Sequence, residues 1–167
     1  MYHSITFYNG SSSRNTYDNF YLIGTEPPVI TLPKQKTKYL DIPGADGSID
    51  LSTTLTGGPI FEDREGSIEF YTRRFVYREV EPGVREYRSA IELYQITYKY
   101  LHGKRMKMIL EDDPEYYYEG RFSVSYSPET SMNRGKVTIS YRLRPYKIKC
   151  TVDGSTVTDS DPLVRSL

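Results

Sequence analysis

Side chains that could act on a substrate are few in this chain and far apart in sequence. There are two histidines, His3 and His102, and one cysteine, Cys150. A single cysteine excludes an internal disulfide and any cysteine-built zinc site. Two histidines in unrelated segments leave a nucleophilic triad or a transition-metal site without its remaining partners. His102 ends a helical pattern, where an imidazole suits the negative pole of the helix dipole. Carboxylates do cluster. Glu111, Asp112, Asp113 and Glu115 have the types for a calcium or general-acid site, but they flank Pro114 between two strand-like stretches and read as a solvated hairpin turn. Asp41, Asp46 and Asp50 lack the alternate spacing and closing glutamate of a calcium loop. No GxxxxGK loop and no GxSxG elbow is present. These residues assign no catalytic, metal or cofactor site.

Binding chemistry is equally sparse. Arg73, Arg74 and Arg78 alternate with Phe75 and Tyr77, a pattern that could stack on nucleic acid. The 22 basic residues are matched by 22 acidic ones, and Glu79 and Glu81 follow directly, so the stretch reads as a solvated strand face without sequence-specific nucleic-acid binding. Asn9–Gly10–Ser11 fits the glycosylation pattern, but the N-terminus has no signal-peptide core and the triplet reads as a turn. No apolar run approaches the ~20 residues of a membrane span. A soluble chain made in a cytosol is the expectation.

The elements that carry these residues are mostly strands. Tyr116, Tyr118, Gly120, Phe122, Val124 and Tyr126 alternate with Glu119, Arg121, Ser123 and Ser125, so one face packs and the other is wet. Val137, Ile139, Tyr141 and Leu143 alternate in the same way after a turn at Asn133, Arg134 and Gly135. Further strands are predicted at 4–7, 20–23, 39–42, 105–110 and in a long run over 66–80, with a bulge or face switch between 70 and 75. Residues 9–19 have loop composition, and Pro27, Pro28 and Pro33 keep the next segment out of a sheet centre. One helix is predicted over about 84–102, with Tyr87, Ile91, Tyr94, Tyr98 and Leu101 as its apolar stripe and Gly103 beyond its end. The fold class is mainly β, of α+β type, with antiparallel strands and one packed helix. One domain is expected over 1–150, Ile148, Cys150 and Val152 continuing the last strand at an edge. The small polar residues of 151–167 predict a flexible tail.

Four segments share a wording. MYHSITF, YLDIPGADGSIDLSTTLTG, FEDREGSIEF and LHGKRMKMILEDDPEYYYEGRFSV, taken together and in order between Met1 and about Tyr146, resemble the phage distal tail (Dit) proteins of siphophage tail tips. The resemblance implies an N-terminal β-sandwich with one packed helix and a homo-hexameric ring at the distal end of the tail tube. Its implied partners are further copies of itself, the tail tube protein, the tail-tip hub or tail-associated lysin protein, and receptor-binding proteins at the periphery. DNA passes through the central channel, and the protein resides in the virion. Many relatives continue into a galectin-like second domain, whereas this sequence stops at Leu167, so a minimal, single-domain form is expected.

In such a ring, residues 34–62 hold few large apolar side chains for a core. They are expected to form an extended arm or hairpin against a neighbour, shaped at Asp41, Pro43, Gly44, Asp46, Gly47, Asp50, Gly57 and Gly58. The 17 tyrosines suit half-buried sheet faces and subunit interfaces. A second reading is a carbohydrate-binding module of a tail tip, with Tyr116, Tyr117 and Tyr118 stacking on the sugars of a host cell wall.

Overall fold

Alternation at the sequence level becomes the longest strands of the molecule. A computed structural model describes residues 3–54, 56–73, 76–129, 134–154, 156–160 and 165–166. Its elements are β1 (Ile5–Tyr8), β2 (Ser13–Asn15), β3 (Leu22–Gly24), β4 (Tyr39–Asp41), β5 (Ser48–Asp50), β6 (Arg64–Thr72), β7 (Tyr77–Glu81), β8 (Val84–Tyr87), α1 (Ala90–Leu101), β9 (Arg105–Leu110), β10 (Asp113–Glu129), β11 (Arg134–Leu143), β12 (Lys147–Asp153), β13 (Thr156–Asp159) and β14 (Arg165–Ser166). The fold is mainly β, with antiparallel strands and one helix among the described residues.

The main sheet runs β2-β1-β9-β10-β11-β6-β3. Its two edge strands are separated by a short loop in sequence, and that loop draws them together. The Leu22 amide donates to the Thr16 carbonyl at 2.8 Å, and the Arg73 amide to the Tyr21 carbonyl at 2.8 Å. Tyr21 takes φ 56°, a left-handed backbone that lets the chain turn sharply at this seam. The sheet therefore curls, with the loop between β2 and β3 bridging its two edges.

Inside the curl lies the core. Phe7, Phe20, Phe70, Phe122, Leu93, Leu101 and Met108 are all fully buried, and Phe7 meets Phe122 edge-to-face with centroids 5.0 Å apart. Each such side chain contributes about 1.5–3 kcal/mol of burial free energy. The helix α1 packs on β10, β11 and β6. Ser89 caps it, its hydroxyl accepting from the Glu92 amide at 3.3 Å. At the other end His102 is the cap, and its Nδ1 accepts from the Val124 amide at 3.1 Å. A second, smaller core forms on the back of the sheet from Tyr8, Ile109, Tyr117, Cys150 and Val157.

Several expectations change. The helix begins at Ala90 rather than at 84, because Val84–Tyr87 is extended and pairs with β7 across a Pro82–Gly83 turn, Gly83 having φ 83°. Its buried face is Leu93, Thr97, Tyr100 and Leu101, whereas Ile91 and Tyr98 of the predicted stripe are exposed. The helix has apolar residues on several sides; leucines take the dry interior, and tyrosines, with a polar tip, take the margin. Residues 66–80 are two strands, β6 and β7, and β2 occupies part of the segment read as loop. The chain beyond 150 is not a featureless tail: β12 pairs with β10 instead of extending β11, and β13 returns along β12 through a turn at Gly154. Val157 packs in one cluster with Tyr117, and the Tyr117 hydroxyl donates to Asp159 of the same strand. Arg74, Phe75, Asn133 and parts of the predicted tail (155, 161–164 and 167) lie outside the described residues.

Candidate assembly surface

The segment 34–62 leaves the body as a hairpin. At its base the Glu62 amide donates to the Lys34 carbonyl and the Lys36 amide to the Ile60 carbonyl, both at 2.8 Å. Further out, the Leu51 amide donates to the Lys38 carbonyl, and β4 pairs with β5 in the register Tyr39↔Asp50, Leu40↔Ile49, Asp41↔Ser48. The tip is the loop 42–47, where Gly44 and Gly47 have φ of 84° and 79°. Residues other than glycine are strained there, which is why this loop reads P-G-A-D-G. Thus Asp41, Pro43, Gly44, Asp46, Gly47 and Asp50 come together at one end of the arm, while Gly57 and Gly58 belong to a separate loop on its returning strand.

All six residues of β4 and β5 are exposed, including Tyr39 (59%), Leu40 (50%) and Ile49 (47%). In the single chain about half of each of these side chains stays in water. Val29, Leu32, Ile42 and Ile60 extend the same exposed apolar set. The Asp50 carboxyl is held below its ordinary pKa by hydrogen bonds from the Ser52 side chain and amide.

The arm is firmly rooted. The Thr31 hydroxyl donates to the Glu65 carbonyl at 2.8 Å, and the Thr31 amide donates to the Tyr141 hydroxyl at 3.2 Å. Tyr141 reaches that point because Gly66 opposite it has no Cβ; one would collide with the phenol. Arg64, 2% exposed, donates from Nε to the Pro145 carbonyl at 2.8 Å and from Nη1 to the Thr31 carbonyl at 3.4 Å, and its guanidinium lies over the Tyr118 ring. Burial lowers its pKa, offset in part by the Tyr118 and Tyr141 hydroxyls. Phe61 closes the base against Tyr146, edge-to-face at 6.1 Å.

A second projection, β7–β8, lies where the sequence predicts the end of one strand run and the first turn of the helix. All nine of its strand residues are exposed, with Tyr77 and Tyr87 in edge contact at its base and Val80 and Val84 toward its tip. Arg78 pairs across the hairpin with Glu86 at 2.8 Å and reaches Glu92 of α1 at 3.6 Å. Alternating residues around Pro82–Gly83 were the available signal.

The remaining candidates are structural. Glu111 accepts from the Ser4 amide at 2.8 Å and hydroxyl at 3.0 Å, which lowers its pKa, and Asp112 pairs with His3 at 2.9 Å. Asp113 pairs with Lys147 at 2.7 Å. The acidic run is therefore a set of cross-links between the β9–β10 turn, the N-terminal strand and β12. Among the described residues no three or more His, Cys, Asp or Glu side chains gather as metal ligands would, and no helix is long and apolar enough to cross a membrane. Tyr118 lies in the main core. Tyr117 is 2% exposed under β13, donating to Asp159 at 2.8 Å with Lys107 over its ring at 4.3 Å. It has no free face for a sugar, which removes the central member of the proposed stacking platform.

No family model matches the chain, and no curated protein does. A solved structure does match: the Dit protein of phage SPP1, a paradigm of the hub adsorption apparatus in phages that infect Gram-positive bacteria, superposes with a TM-score of 0.56 at 14% identity. The chain has a Dit-like fold. The match covers 87% of this chain and 51% of SPP1 Dit, so the chain spans about half the length of that protein. At that identity the likeness concerns the path of the backbone.

Proposed function

We propose that this chain is a structural protein of a phage tail tip, assembling as a hexameric ring at the distal end of the tail tube. In this reading the ring joins the tube protein to the tail-tip hub or tail-associated lysin protein, leaves a channel for DNA, and resides in the virion. Receptor-binding proteins attach at its periphery. The observation that carries it is the arm. On a Dit-like body with a closed core, a rooted hairpin holds Tyr39, Leu40, Ile42 and Ile49 in solvent. Apolar side chains placed so on a rigid support mark a surface made for another protein. A ring uses heterologous contacts, each copy offering two different patches, and the arm with the body behind it supplies two. No catalytic role is assigned.

Negative-stain imaging and light scattering of the purified chain, alone and with its tube and hub partners, test this. Rings with a hole wide enough for duplex DNA are expected, and deletion of residues 44–58 should abolish them. A chain that stays monomeric at high concentration beside both partners would sink the reading. Glycan binding by the isolated monomer would favour the carbohydrate module instead, and buried Tyr117 speaks against it.

A further inference from the structure

The large apolar side chains left in solvent are not scattered. Among the described residues they fall into two groups, with Val152 as the exception. One group belongs to the arm: Val29 and Leu32 at its root, then Tyr39, Leu40, Ile42, Ile49 and Ile60 along it. The other belongs to the β7–β8 hairpin and the outer side of α1: Tyr77, Val80, Val84, Tyr87, Ile91 and Tyr98. β6 separates them. The arm leads into its first residue, Arg64, and β7 begins just beyond its last, Thr72. Nine residues of extended chain span about 27 Å. The first half of α1 lies over the far end of that strand. Tyr94 stacks on Tyr126 at 5.2 Å, the Tyr126 ring lies against Gly135, and the Gly135 amide donates to the Thr72 hydroxyl at 3.0 Å.

The groups differ in chemistry. In the arm, Leu40 stands opposite Ile49 and Ile42 follows on the same side, which gives the β4–β5 ladder one aliphatic face. In the second group, Tyr77 and Tyr87 meet edge-to-face at 5.8 Å, and Ile91 and Tyr98 stand two turns apart on one side of α1.

We propose that the arm of one copy lies across the β7–β8 hairpin and the outer side of α1 of the next. This rests on the ring reading above and adds which surface receives the arm. A heterologous ring contact takes two unlike patches from each copy, and the exposed apolar surface is divided into two. Side chains of this size, about half exposed, each leave roughly 100 Å² in water. Each group therefore presents about 600 Å², near the ~800 Å² that one partner gives to a standard interface. Tyrosine suits the receiving side, because its ring covers aliphatic groups while its hydroxyl stays at the wet margin. With the groups at opposite ends of β6, each copy gives its arm to one neighbour and takes the arm of the other.

Two double variants of the full chain test this by sedimentation velocity. L40D/I49D spoils the arm, and V84D/I91E spoils the receiving side; a carboxylate at position 91 suits the first turn of a helix. Each variant should melt like the parent and weaken ring assembly at least about 30-fold, because a charge then meets apolar surface. Mixed in equal amounts, the two should form one-to-one dimers, the intact arm of one on the intact hairpin of the other. A mixture of folded variants that stays monomeric overturns the proposal. So do normal rings of V84D/I91E, and if those rings have lost the tube or hub protein, the hairpin belongs to that partner instead. Amide exchange in the parent depends on no variant. Between dilute monomer and ring it should slow in both 39–50 and 77–87, and slowing in the arm alone overturns the proposal. A parent that never forms rings overturns the ring reading itself, whereas parent rings that survive V84D/I91E overturn only this contact.

Discussion

Along β11, inside the body, every second residue from Gly135 to Leu143 is buried; along β4 and β5, in the arm, none is. Both regions are antiparallel ladders, and both carry large apolar side chains. The difference is what stands opposite them. In the body, β11 is flanked by β10 and β6 and covered by α1, so its inward residues find partners within the chain. The arm is a single pair of strands with no third strand and no helix over it, and an isolated hairpin of this kind has too little surface to be stable alone. Its stability comes from the root, where Thr31, Arg64 and Tyr141 fix it to the body. One region is built to be complete in a monomer, and the other is built to be held out from one.

Mutations should separate the two sharply. The largest effect is expected for Phe122→Ala in the body, which opens a cavity beside Phe7 and should cost about 3–5 kcal/mol in denaturant unfolding. A loss under 1 kcal/mol would mean the core is looser than its geometry. Gly120→Ala should cost about 1–3 kcal/mol, because the added methyl meets the backbone of Arg142 and Leu143, which cannot rotate aside. At the border, Tyr141→Phe removes the hydroxyl that accepts from Thr31 and should cost about 1 kcal/mol. It should also speed amide exchange at Thr31 more than in β10, and equal changes in both places would mean the root is no distinct joint.

Alkaline pH gives a finer contrast. Burial first, then the hydrogen bond and charge of Asp159, hold the Tyr117 phenol well above its ordinary pKa. A raised folded pKa stabilises below the unfolded value of about 10 and loses that contribution as pH climbs above it. Tyr117→Phe should therefore flatten the fall in melting temperature above about pH 10. An unchanged alkaline limb would show that Tyr8 and Tyr118, also raised by burial, carry it instead. The smallest effect belongs to the arm: Tyr39→Ser should move the stability of the monomer by no more than about 0.5 kcal/mol while impairing rings. A clear loss of monomer stability would erase the distinction drawn here.

Much of the fold was legible because its longest strands obey a strict period of two. Tyr118, Phe122, Val124, Val137, Ile139, Tyr141 and Leu143 are all buried as their alternation requires. The arm was legible for the opposite reason, a stretch with too few apolar residues to build a core, punctuated by glycines at the two positions of positive φ in its tip. What misled was local ambiguity. Val84–Tyr87 can be a first helical turn or a strand, and only pairing with Tyr77–Glu81 decides it. The helix offers apolar residues on several sides, and only the curled sheet selects Leu93 and Leu101.

By itself, then, the order of residues determined that this is an antiparallel β protein with one helix and a glycine-turned arm, since those features are written in neighbouring side chains and in the backbone angles they permit. Tertiary structure alone decided which aromatics are hidden. Tyr117 disappears beneath Val157, forty residues later, and Arg64 leaves water to hold Thr31 and Pro145 from opposite ends of the chain. Such burial depends on contacts between distant segments, and no local pattern of residues encodes them.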